Sequence, residues 1–101
     1  MLTQDEQRAL LMVAHAAVEH LVLDGIRAYR GCPLQTPALA MPGAAFVTLR
    51  VNRELRGCIG NTRPRQTLPE VIHENAISAA TRDQRFEPIA PAEIRALTAE
   101  I

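Results

Sequence analysis

The sequence predicts an α/β (α+β) unit in which two helices pack on a small sheet with one β-hairpin at its centre. Three observations carry that reading. Apolar residues recur at helical spacing in two capped segments. Two short strand-like runs lie between them, joined by an Asn-Arg pair. A proline-dense stretch separates the first helix from the hairpin.

The first helix starts at Thr3, which forms a capping box with Glu6. Leu10, Ala14, Ala17 and Leu21 follow at helical spacing, with Val13 and Val18 widening the stripe. Asp24-Gly25 is a stop signal, although Ile26 to Tyr29 could extend the helix. Residues 31–43 hold Gly31, Pro33, Pro37, Pro42 and Gly43 and read as a loop without regular structure. Residues 44–51 and 54–60 read as antiparallel strands around a tight Asn52-Arg53 turn.

An unbroken ladder from Val51–Glu54 sets Arg50 opposite Leu55, Thr48 opposite Gly57 and Val47 opposite Cys58. Phe46, Thr48, Leu55, Gly57 and Ile59 then share one face; Val47, Leu49, Arg56 and Cys58 share the other. Both are largely apolar, so both are expected to be covered. Thr67 and Glu70 suggest a second capping box, with Pro69 tolerated in the first turn. Leu68, Ile72, Ala76 and Ala79 continue that helix to about Thr81. Residues 82–88 read as a loop, 91–95 as a short helical turn, and 97–101 as a strand cut at its end.

Residues 1–101 suffice for one domain with a modest core. Only 3% of residues are aromatic, so the core is expected to be aliphatic. Eleven basic residues balance eleven acidic ones, which argues against non-specific binding to nucleic acid or anionic membrane. No apolar run approaches the ~18 residues of a membrane span, and the N-terminus lacks a basic leader. The expected location is cytoplasmic, with Cys32 and Cys58 as free thiols. Every basic residue is arginine. With abundant alanine this suggests a GC-rich, bacterial genome, on codon usage rather than physics.

Cys58 is the first chemical candidate. The unbroken ladder puts Arg56 on its face, and a guanidinium beside a thiol favours the nucleophilic thiolate. Gly57 and Gly60 bracket it and allow close approach of backbone or ligand. The competing reading is a small core residue packed near Val47; Cys32 reads as incidental. Arg63 and Arg65 precede the second helix, whose free N–H groups favour anions; a solvated surface with local ion pairs is the alternative. In Arg82-Asp83-Gln84-Arg85-Phe86, Asp83 can pair with either arginine and Phe86 reads as a core anchor. His15 and Glu19 have i,i+4 spacing but no third ligand, so no metal site or cofactor is expected.

At the hairpin, Gly43-Ala44-Ala45-Phe46-Val47-Thr48-Leu49 followed by Leu55-Arg56-Gly57-Cys58-Ile59-Gly60 resembles the AMMECR family, in bacteria and archaea protein A of the AmmeMemoRadiSam system. Asn75-Ala76 through Arg82-Asp83-Gln84-Arg85-Phe86 resembles its second signature. The resemblance implies a two-lobed α/β fold with the Arg-Gly-Cys motif in a functional cleft. It also implies action with Memo-like and radical-SAM proteins, without naming a substrate. Carried over residue by residue, Arg56, Cys58, Asn75, Asp83, Arg85 and Phe86 match the signatures; Cys58 and Arg56 are then the catalytic candidates, and Asn75, Asp83 and Arg85, together with Arg63 from the arginine group before the second helix, the ligand-binding ones. Arg53 departs from the family's usual Gly, and Gln84 and Glu87 from frequent Pro. The family domain runs well past residue 101, so the chain is expected to be an incomplete domain, truncated at its C-terminus. Three readings follow: a Cys58 enzyme acting on a small anionic substrate, a non-catalytic binding module, or an inactive fragment. An unpaired sheet edge could also cause self-association.

Overall fold

A computed structural model describes all residues, Met1–Ile101. Helix α1 spans Gln4–Asp24. Its capping box forms as expected: Glu6 N–H donates to Thr3 Oγ1 at 3.1 Å and Thr3 N–H to Glu6 Oε1 at 2.8 Å. Glu6 also accepts from the Thr36 hydroxyl, tying the helix start to the following loop. Gly25 ends the helix in the left-handed region, at φ 70°, where a residue without Cβ is least strained. The N–H groups of Gly25 and Ile26 donate to the carbonyls of Leu21 and His20.

The 31–43 segment is more ordered than its prolines suggest. Strand β1, Pro42–Gly43, pairs antiparallel with β4, Gln66–Thr67. The main hairpin consists of β2, Phe46–Val51, and β3, Glu54–Gly60. Asn52 and Arg53 have φ values of 51° and 70°, the pattern of a type I′ turn. Helix α2, Leu68–Thr81, follows, then a 3₁₀ helix, η1, at Pro91–Ala96, and strand β5, Leu97–Glu100. The second capping box does not form. Thr67 donates its hydroxyl to the Glu70 carboxylate at 2.7 Å and makes no side-chain bond to the helix backbone.

The main sheet runs β3-β2-β5, all antiparallel. Val47, Leu49 and Val51 of β2 and Leu97 of β5 face inward, with Leu10, Ala14 and Val18 of α1 and Ile72, Ala76 and Ala80 of α2 in the same aliphatic core. Both helices lie on this side. The expectation of two covered faces is therefore corrected: Phe46 is 55% exposed on the other face. Phe86 is corrected too. It is only half-buried, beside the Arg85 guanidinium at 5.2 Å, and Ile89 is the buried anchor of that segment.

The register also differs from the unbroken ladder. Arg50 opposes Leu55 as expected, but Leu49 opposes Gly57, Thr48 opposes Cys58 and Val47 opposes Ile59. The ladder slips between Leu49 and Arg50, leaving Arg56 as the extra residue of a bulge. Two features of the core explain it. Without the bulge Arg56 would oppose Leu49 and point beneath α2, burying a charge at high cost. With it Gly57 occupies that place, where an added Cβ would lie 2.1 Å from the Ala79 carbonyl oxygen. The backbone of α2 thus makes the close approach that glycine permits.

Candidate functional site

The bulge moves Cys58 off the core face. It sits half-buried beside Thr48 on the open face, rather than next to Val47. The Thr48 hydroxyl donates to Cys58 Sγ at 3.3 Å. Such contact fits a pair whose backbone groups point away from each other, which brings side chains closest. The Cys58 N–H accordingly points out of the β3 edge, where it donates to Asp83 Oδ2 at 3.0 Å.

Asp83 is one of three buried polar or charged residues, at 8% exposure. Its Oδ1 accepts from Arg85 N–H at 3.1 Å and Nε at 3.0 Å, and its Oδ2 from Arg85 Nη2 at 2.8 Å. The Arg85 guanidinium, then the Cys58 N–H, hold its carboxyl well below the usual aspartate range. Arg85 is raised in turn, chiefly by the Asp83 hydrogen bonds and then by the Asp83 charge.

Arg56 is held elsewhere. Its Nε and Nη2 form a fork on Glu93 Oε2 and Oε1 at 2.7 and 2.8 Å, and Nη1 donates to the Glu87 carbonyl at 3.1 Å. This bidentate geometry is the strong form of the pair. It holds Glu93 down to about 2, the hydrogen bond from Arg56 being the first cause and the Ala90 N–H the second. The sequence had placed Arg56 beside the thiol; the structure gives it a partner on η1.

Asn75 and Arg63 fall into a second group. Asn75 Nδ2 donates to the Ala45 carbonyl and to Asn61 Oδ1, both at 3.0 Å. Asn61 Oδ1 also accepts the Ala45 N–H at 3.3 Å, and Asn61 Nδ2 donates to the Arg63 carbonyl at 2.9 Å. These bonds fasten the β3–α2 connection to the start of β2. The ligand candidates thus divide, with Asp83 and Arg85 at Cys58 and Asn75 and Arg63 around Asn61, three residues or roughly 10 Å of strand away. His15 and Glu19 form an i,i+4 pair at 3.4 Å.

Sequence reasoning missed Thr48, Glu93 and Asn61. Thr48 was displaced by the one-residue register error. The Pro91-Ala92-Glu93 start of η1 signals a helix N-terminus, but not a partner 37 residues back in the chain.

The family model AMMECR1 matches residues 11–101. The chain belongs to the AMMECR1 family. A protein of Methanosarcina acetivorans is 38% identical over 103 residues, covering 100% of this chain and 52% of that protein. One of Aeropyrum pernix is 41% identical over 100 residues, covering 92% and 41%. The crystal structure of the uncharacterized protein PH0010 from Pyrococcus horikoshii superposes with a TM-score of 0.86 at 28% identity, covering 97% of this chain and 50% of that one. The AMMECR1 chain described here therefore spans about half the length of the curated relatives it matches, and these relatives are archaeal.

No helix is long and apolar enough to cross a membrane.

Proposed function

We propose that this AMMECR1 unit presents a thiol site on the open face of its sheet, with Cys58 as nucleophile toward a small anionic substrate. Arg85 takes the role the sequence had assigned to Arg56. The carrying observation is that Asp83 binds both the Cys58 N–H and the Arg85 guanidinium. A thiolate at Cys58 has the Thr48 hydroxyl as donor and a cation tethered to its own backbone amide. In this reading Arg56 positions η1 through Glu93. By family resemblance the unit works in the cytoplasm beside Memo-like and radical-SAM proteins. Lysine-free composition is the support for a bacterial source. The test is iodoacetamide alkylation of Cys58 across pH, with Cys32 as internal comparison. Arg85→Ala is expected to slow Cys58 at neutral pH and Arg56→Ala to leave it unchanged. An unreactive Cys58, or dependence on Arg56 alone, overturns the reading.

A second reading has one specific observation behind it. Phe46, more than half exposed, lies across Gly60 on the open face, where a Cβ on Gly60 would come within 2.3 Å of its ring. An exposed aromatic on a strand suits a non-catalytic protein-binding face. Stable capture of a Memo-like or radical-SAM partner, lost in Phe46→Ala and retained in Cys58→Ser, would favour it.

A further inference from the structure

The second group of polar residues surrounds a cleft of about 400 Å³ between the β3–α2 connection and α2. That volume lies within the range of small-molecule sites. Asn75 lines it, although the residue is only 9% exposed. Its amide orientation follows from its neighbours. The Ala45 N–H requires an oxygen at Asn61 Oδ1, so the Asn75 group meeting that oxygen is Nδ2, which also donates to the Ala45 carbonyl. Asn75 Oδ1 is then the free end of a nine-tenths-buried side chain. It accepts nothing from the protein, and no side-chain polar atom in the fold is both fully buried and unpaired, so this oxygen has access to the cleft.

The rest of the lining supplies both charges. Arg63 and Arg65 carry guanidiniums engaged in no ion pair, and Glu74, next to Asn75 on α2, carries a carboxylate likewise unpaired. One wall therefore offers an acceptor and an anion, and another offers two cations with planar donor forks.

We propose that this cleft binds a small zwitterion, with an ammonium group at Asn75 Oδ1 and Glu74 and a carboxylate at Arg63 and Arg65. The site does not depend on Cys58, and either site can fail without the other.

The experiment is an NMR titration of the 101-residue chain with L-serine, beside propionate and propylamine as one-ended controls, to about 50 mM at low ionic strength. Saturable shifts of the Asn75 side-chain amide and of the Arg63 and Glu74 backbone amides are expected with L-serine. Each control should bind at least about tenfold more weakly. The Arg63→Ala/Arg65→Ala double variant changes exposed side chains and should fold while losing about tenfold in affinity. No saturation with L-serine overturns the proposal. So does equal binding of propionate, or binding unaffected by the double variant.

Discussion

The sheet has two edges, and the protein treats them differently. At β3 the edge is closed by side chains. Asp83 takes the Cys58 N–H, the Arg56 bulge turns toward Glu93, and α2 presses on Gly57. At β5 alternation points the Ala99 N–H away from β2, and no side chain takes it, while the Leu97 N–H closes η1 on the Ile94 carbonyl. Beside that edge a groove of about 530 Å³ runs between α1 and β5, lined by Leu11 and the 59%-exposed Met12. A strand edge closed by charge resists pairing with another chain, whereas an open one beside apolar surface invites it. The candidate thiol belongs to the closed edge, where its surroundings are determined by the fold.

The largest expected effect lies where the closed edge is tightest. Gly57→Ala should cost about 3 kcal/mol in urea melts, because the clash is with backbone that cannot rotate away. Thr98→Ala on β5 should change stability by less than ~0.5 kcal/mol. Similar costs at both positions would erase the contrast.

Next comes the Arg56–Glu93 fork. Glu93 sits well below its usual value near 4.5, at about 2. Its contribution is therefore fully present above about pH 4.5 and fades as pH falls toward 2. Glu93→Gln should be about 1–2 kcal/mol less stable at neutral pH. That deficit should close over the same acid range. A pH-independent deficit would mean the pair acts by packing alone.

The hairpin turn gives a smaller effect of opposite sign. Arg53 has φ 70°, so Arg53→Gly should raise the denaturation midpoint, a gain of up to ~1 kcal/mol. A lower midpoint would show that the extra freedom glycine gives the unfolded chain outweighs the relief of strain at φ 70°.

The smallest effect on stability, but a large one on association, is expected at the open edge. The 101-residue chain should self-associate through β5, and Thr98→Lys should shift sedimentation toward monomer with little change in stability. A family-length chain should be monomeric and more stable. A short chain monomeric at high concentration, with a steep transition at high denaturant, would contradict the open edge.

What was legible in the sequence was local. The Thr3–Glu6 box, the Gly25 stop, the Asn52-Arg53 turn and both helix spans depend on residues a few positions apart, and each formed. The register did not follow, because the bulge at Arg56 answers to the approach of Ala79, more than twenty residues later. That one-residue slip moved Cys58 to the opposite face and hid Thr48. Asp83 and Arg85 were visible through family resemblance, but their link to the Cys58 N–H rests on tertiary contact.

Native-state hydrogen exchange of the Cys58 and Ala99 amides, at dilutions where the chain is monomeric, tests the contrast most directly. Both are edge amides pointing away from β2. The account predicts a protected Cys58, a rapidly exchanging Ala99, and loss of the Cys58 protection in Asp83→Ala while core amides stay protected. A Cys58 amide that exchanges as fast as Ala99, or stays protected without Asp83, would contradict it.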